Sequence, residues 1–313
     1  MTTAPTVSNA PRRLPLAATT ARLGVLSLHL DGTPCRVGCE FCYLGARADR
    51  AESAGDSISG TLLEGVLGAL DYAEVAVALS EPIAQHVPAL AAIVRAAAAR
   101  GRPVAVTTTA GVLVELDAIR RHSGRDPLAG VARVNLSVDP RKGPTEPRWV
   151  AAAARRARGD GAGHGADGEA VGAPRQVALI ASLVDESFAG WLIGGGLAEL
   201  VALPEVDMVA LHGLKPPPPW CDKRFWLAAF ARLGPLLEKH LDRRLFLDCY
   251  VAARILQLGG CPARPDVSPG GAGAEFRSCV YQSSADFSFS SAGELASRLA
   301  DFQAPELCPF PIR

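Results

Sequence analysis

The chain has 313 residues, of which 49% are hydrophobic. That length suits one large domain, or a domain with an appendage, and supplies ample material for a core. Its 32 basic residues balance 32 acidic ones, which argues against a surface built to grip nucleic acid, because such chains carry a basic excess. No apolar run is long enough to span a membrane.

Arg12-Arg13 opens a stretch that has the paired arginines of a twin-arginine export signal. Pro15 and Arg22 break it before an apolar core can form, so residues 1–22 read as a disordered tail and the protein as cytoplasmic. In that reducing compartment its eight cysteines point to metal binding or catalysis rather than to disulfides.

From residue 23 onward, apolar runs alternate with helical patterns. Leu23–Leu30 reads as a buried strand, and the stretch from Ile58 to Tyr72 as a helix with Ser57 or Ser59 as its cap. Glu74–Leu79 is a second strand, followed by a helix that stops at Gly101. Pro103–Thr109 is a third strand, with a helix over Leu113–His122. Val131–Val138 is a fourth, and Gln176–Val184 a fifth with a helix around Trp191–Ala202. Val206–Leu214 is a sixth, followed by a helix over Lys223–Leu241. Six strand–helix units in strict alternation predict a parallel sheet in an α/β fold. The count fits both an open doubly wound sheet and a partial barrel, and either places active residues at the C-terminal ends of strands.

Residues 158–174 are Gly-rich and read as a flexible surface loop holding a solvated His164. His29 lies inside the first strand and reads as a hydrogen-bonded core residue; His86, His122 and His240 sit on predicted helices and read as exposed. Residues 23–244 form the expected main domain, and 245–313 a C-terminal appendage. Within that appendage Arg243–Leu256 suggests a strand with room for a short helix, Gly259–Cys279 reads as loop, Asp286–Ser290 as a short strand, and Ser291 with Glu294 as the capping box of a terminal helix.

The most informative stretch is CRVGCEFCY, Cys35–Tyr43, with three cysteines at spacings C-x3-C-x2-C. A structural zinc site wants four protein ligands, and a cubane iron–sulfur cluster normally takes four cysteines. Three thiolates leave one metal position open, which is what a catalyst requires. The spacing, with Phe41 just before the last cysteine, resembles the signature of the radical S-adenosylmethionine superfamily. The resemblance covers about residues 23–245 and has the cysteine motif as its specific part.

That resemblance implies a partial (β/α)6 barrel of the TIM type and an oxygen-sensitive 4Fe–4S cluster on Cys35, Cys39 and Cys42. S-adenosylmethionine would chelate the fourth iron and be cleaved by one electron to a 5′-deoxyadenosyl radical, which abstracts hydrogen from the substrate. The cofactors carry the chemistry, and the protein positions and shields it. The resemblance also implies a flavodoxin- or ferredoxin-type reductant. Phe41, Glu81, Thr109, Asn135 and Ser137 are the cofactor-binding candidates. Glu81 stands in Leu79-Ser80-Glu81-Pro82, where relatives often have Gly-Gly-Glu-Pro. Thr109 serves either the methionine moiety or the cap of the next helix. Asn135 and Ser137 share a strand face, and Asp139, read as facing the other way, is assigned to the turn. At the end of the sixth strand, His212 and Lys215 are the catalytic candidates.

Cys221 reads as an ordinary cysteine. Cys249, Cys261, Cys279 and Cys308 fall in the appendage as a candidate second iron–sulfur cluster, although they lack the close pairs usual in cluster motifs. Charge balance favours a small-molecule or peptide substrate over RNA. The competing readings are a non-catalytic zinc or iron–sulfur protein and a degenerate regulatory member of the fold.

Overall fold

The computed structural model describes residues 13–15, 23–30, 58–79, 83, 86–159, 175–214, 218–241, 243–247, 265–270, 273–279, 282 and 284–305. In chain order the elements are β1 (Arg13–Pro15), β2 (Leu23–His29), α1 (Gly60–Ala69), β3 (Tyr72–Ala78), α2 (Val87–Ala98), β4 (Val104–Thr108), α3 (Ala110–Ser123), β5 (Arg133–Val138), α4 (Pro147–Arg158) and β6 (Gln176–Ser182). There follow α5 (Glu186–Trp191), a π-helical turn (Leu192–Gly196), α6 (Leu197–Ala202), β7 (Met208–His212), α7 (Lys223–His240), β8 (Leu245–Leu247), β9 (Asp266–Gly270), β10 (Gly273–Arg277), β11 (Phe287–Phe289), α8 (Ala292–Asp301) and β12 (Gln303–Pro305).

The helices begin where side chains can satisfy their first amides. Ser59 Oγ accepts from Leu62 N at 3.2 Å, and Asp222 Oδ1 accepts from Phe225 N at 2.9 Å. At α8, Ser291 Oγ accepts from Glu294 N, while Glu294 Oε2 accepts from the amide of Ser290 rather than that of Ser291. The expected box is present, reaching back one residue further.

Ten strands join one sheet in the order β11-β10-β9-β2-β3-β4-β5-β6-β7-β8. From β9 through β8 every pairing is parallel. Strands β2 to β8 lie in sequence order, with no point at which the order reverses. A doubly wound sheet needs such a reversal. Right-handed crossovers between strands added in one direction place the connecting helices on one face. Burial agrees: Leu26, Leu28, Val75, Val77, Val104, Val106, Val134, Leu136, Val177, Leu179, Val209 and Leu211 are buried in the core. Their strand neighbours Ser27, Ala76, Thr107, Asn135, Ser137, Ile180, Ala210 and His212 face the other way and are half-buried. That second face is where a site can be built.

The residues expected as an appendage extend this same sheet. Leu245–Leu247 pairs in parallel with β7, so a seventh strand follows the six expected in sequence order. The stretch read as loop between Gly259 and Cys279 contains two strands. Asp266–Gly270 pairs in parallel with β2, and Gly273–Arg277 pairs antiparallel with Asp266–Gly270. Pro269, Gly270 and Gly273 are strand breakers in isolation, but tertiary pairing overrides local preference. Burial of Val267, Ala274 and Phe276 supplies the driving force. Phe276 stacks on Phe287 with ring centroids 4.8 Å apart, and Phe302 packs edge-on against both.

Gly273 is required by close approach. A Cβ there would meet the carbonyl oxygen of Phe289 at 2.3 Å, a backbone atom that cannot rotate away. Gly273→Ala is expected to destabilise the protein by about 1–3 kcal/mol, the usual cost of overpacking, read as a lowered unfolding midpoint. An unchanged midpoint would show that β10 and β11 separate at no cost.

His86 corrects a further expectation. It precedes α2 and is buried rather than exposed, whereas His122 is exposed. The start of β6 is pinned by Arg175, which donates to the carbonyls of Leu128 and Ala157 at 3.3 and 3.2 Å and pairs with Asp126. Burial, with the nearby charge of Arg120, pulls its pKa down to about 10, so it stays protonated at neutral pH. Among the described residues no helix is long and apolar enough to cross a membrane.

Candidate functional site

Strand register lays the polar residues of the helix-free face in rows. One row runs His29, Ala78, Thr107, Asn135, Ala178, Met208 across β2 to β7. A second runs Ser27, Ala76, Ala105, Arg133, Gln176, with Asp266 of β9 beside Ser27. Nearer the C-terminal edge, Ser137 lies beside Ile180 and Ser182 beside His212. Alanines at 76, 78, 105 and 178 keep the middle of this face low.

One consequence of those small side chains is a network that crosses β4. Arg133 on β5 pairs with Glu74 on β3, passing over Ala105. The Arg133 Nε donates to Asn135 Oδ1 at 3.0 Å, and Asn135 Nδ2 donates to Thr107 Oγ1 at 3.2 Å. Asn135 therefore shares a face with Ser137, as expected from alternation, but its amide is held at both ends by the sheet. Its partner is Thr107 rather than Thr109. Thr109 caps α3, with Oγ1 accepting from Val112 N at 3.3 Å.

Asp139 sits in the turn after β5, where Oδ1 accepts from Arg141 N at 3.0 Å and Oδ2 lies 3.1 Å from Lys142 Nζ. The assignment to a turn holds, but not for the parity reason. Residues 135, 137 and 139 have the same parity, and Asp139 leaves the face because β5 ends at Val138.

A second polar cluster lies beside the end of β2. His29 Nε2 is 2.7 Å from Asp266 Oδ1, and Asp266 Oδ2 is 3.7 Å from Arg277 Nη1. Arg277 also donates to Ser268 Oγ at 2.6 Å and pairs with Glu275. His29, Asp266 and Arg277 are 4%, 0% and 3% exposed, so charge that burial would penalise is matched inside the cluster. The core reading of His29 is correct, and its partners come from about 240 residues further on. Sequence reasoning did not single out Asp266, Arg277, Glu74 or Arg133. Arg133 was within reach, since it shares the odd parity of Asn135 and Ser137 on β5.

His212 is the last residue of β7, half-buried and paired in register with Ser182. Cys279 is buried just past β10, with its amide donating to Gln282 Oε1 at 2.8 Å. It follows Arg277, which pairs through Asp266 with Ser27, so it lies towards the N-terminal end of β2. Cys221 is buried before α7. Cys35, Cys39, Cys42, Phe41, Glu81, Lys215, Cys249, Cys261 and Cys308 lie outside the described residues. Among the described residues no group of three or more His, Cys, Asp or Glu side chains is placed to hold a metal ion.

No protein-family model matches the chain, and no curated protein matches its sequence.

Proposed function

We propose that the chain is a radical S-adenosylmethionine enzyme built on a partial (β/α)6 barrel, acting on a small metabolite or a peptide. The observation that carries the reading is the C-x3-C-x2-C motif, whose first cysteine follows His29, the last residue of β2, by six positions. α/β sheets bind their ligands at the C-terminal ends of parallel strands, and the motif follows such an end in sequence. The donor set suits the group. Three thiolates are soft ligands for an iron–sulfur cluster and leave one iron to a non-protein ligand. The helix-free face also has room, because Ala76, Ala78 and Ala105 keep it low beside β2.

When bound, the cluster and S-adenosylmethionine supply one-electron cleavage of the sulfonium and abstraction of hydrogen from substrate. Cys35, Cys39 and Cys42 would hold the cluster. Glu81, just beyond β3, would accept charge-assisted hydrogen bonds from the ammonium of the methionine moiety. Ser137 is the hydroxyl on the helix-free face nearest the C-terminal edge of β5, suited to a polar group of the cofactor. Asn135 stiffens the face by accepting from Arg133 and donating to Thr107. His212 and Lys215 remain the substrate-side candidates. A cytoplasmic setting with a flavodoxin- or ferredoxin-type reductant would deliver the electron.

The experiment is anaerobic reconstitution with iron and sulfide, reduction, and detection of 5′-deoxyadenosine and methionine. Their formation supports the reading. An iron-loaded, reduced protein that binds S-adenosylmethionine without cleaving it would point instead to a regulatory member of the fold. Glu81→Ala is expected to weaken S-adenosylmethionine binding by about tenfold, the worth of one charge-assisted hydrogen bond, with iron content unchanged. Loss of iron in that variant would give Glu81 a structural role.

A further inference from the structure

At the C-terminal edge of the sheet a cleft of about 640 Å³ opens between the β5–α4 and β6–α5 connections. Its walls include Pro140, Thr145, Glu146, Asp185, Phe188 and Trp191, with no Lys, Arg or His among its described lining residues. Phe188 and Trp191 stack with centroids 5.4 Å apart and planes 22° from parallel.

The placement of Trp191 is costly to the chain. Three consecutive glycines, Gly194 to Gly196, interrupt what would otherwise be one helix from α5 into α6, and glycine in a helix interior costs about 1 kcal/mol each. Gly195 has φ of +140°, open to glycine alone without strain. A Cβ on Gly196 would fall 2.4 Å from Trp191 Cε2, so the indole rests directly on this backbone. Such π-turns concentrate at functional sites. This one lays an aromatic surface along the cleft.

Both charged lining residues are carboxylates. Glu146 occupies the cap position of α4 without a side-chain capping bond, so its carboxylate is not folded onto the helix. Asp185 caps α5 through Oδ1, which accepts from Phe188 N at 2.7 Å. Two neighbouring cations are engaged elsewhere. Lys142 pairs with Asp139 at 3.1 Å, and Arg148 stacks over the ring of Trp149 at 5.4 Å.

We infer that this cleft binds a primary amine carried on an apolar or aromatic body, with the ammonium between Glu146 and Asp185 and the body against Trp191 and Phe188. Carboxylates supply charge-assisted hydrogen bonds to the ammonium, and the aromatic pair supplies apolar area for the body. The inference needs no cluster, so its failure leaves the radical reading intact.

The test is calorimetric titration of the full-length chain with benzylamine and with benzyl alcohol, its neutral isostere. Benzylamine is expected to bind about tenfold more tightly than the alcohol, the worth of one charge-assisted contact. Glu146→Gln, an exposed change that spares the fold, is expected to erase most of that preference. Trp191→Leu is expected to weaken both probes together. Equal binding of amine and alcohol, no binding of either, or an undiminished preference in Glu146→Gln would overturn the assignment.

Discussion

Replacing Cys35, Cys39 and Cys42 together with alanine is expected to reduce 5′-deoxyadenosine formation to background. The reason is stoichiometric. Each cubane iron needs a ligand, and three thiolates fill three positions while leaving the fourth for S-adenosylmethionine. The iron and sulfide content of the triple variant then separates two architectures. An iron-free variant beside an iron-loaded wild type means one cluster. A variant that keeps iron means Cys249, Cys261, Cys279 and Cys308 hold a second. Retained activity in the triple variant would remove the basis of the proposal.

The second large effect lies in the buried cluster. Asp266→Ala is expected to lower stability by about 3 kcal/mol, the low end for breaking a buried pair, because Arg277 keeps Glu275 and Ser268 as partners. Arg277 and His29 would both lose their shared carboxylate at 3.7 and 2.7 Å. The measurement is guanidinium unfolding followed by tryptophan fluorescence. Changing all three residues to apolar ones of similar size, His29→Leu, Asp266→Leu and Arg277→Met, is expected to restore most of the loss, because no charge then remains buried. Arg298→Ala serves as the control, since its partner Glu294 is on the surface and exposed pairs contribute little. An Asp266→Ala midpoint equal to that of the control would show that the cluster carries no stability.

What the sequence made legible follows from period. In β5, Val134, Leu136 and Val138 alternate with Asn135 and Ser137, and that alternation located both the strand and its polar face. Helix caps at Ser59, Thr109 and Ser291 were also visible, because a capping side chain acts within three residues. Strands β9 and β10 were hidden. Their Pro and Gly content signals turns, and only pairing with a strand from the other end of the chain makes them strands. The same distance hid Asp266 and Arg277. A single aspartate among prolines carries no local mark of a histidine partner at residue 29. The winding of the sheet was also beyond periodicity, since one-way and reversing strand orders share the same alternation.

The adjacency of β9 to β2 sets a schedule for biosynthesis. Ser27 receives its neighbour Asp266 only after roughly 240 further residues have been translated, on the order of 10–50 s at ordinary elongation rates. Through that interval the strand leading into the cysteine motif has one hydrogen-bonding edge without its final partner, and such edges recruit other chains. A stalled or truncated nascent chain that ends before residue 266 would leave that edge open for as long as it persists.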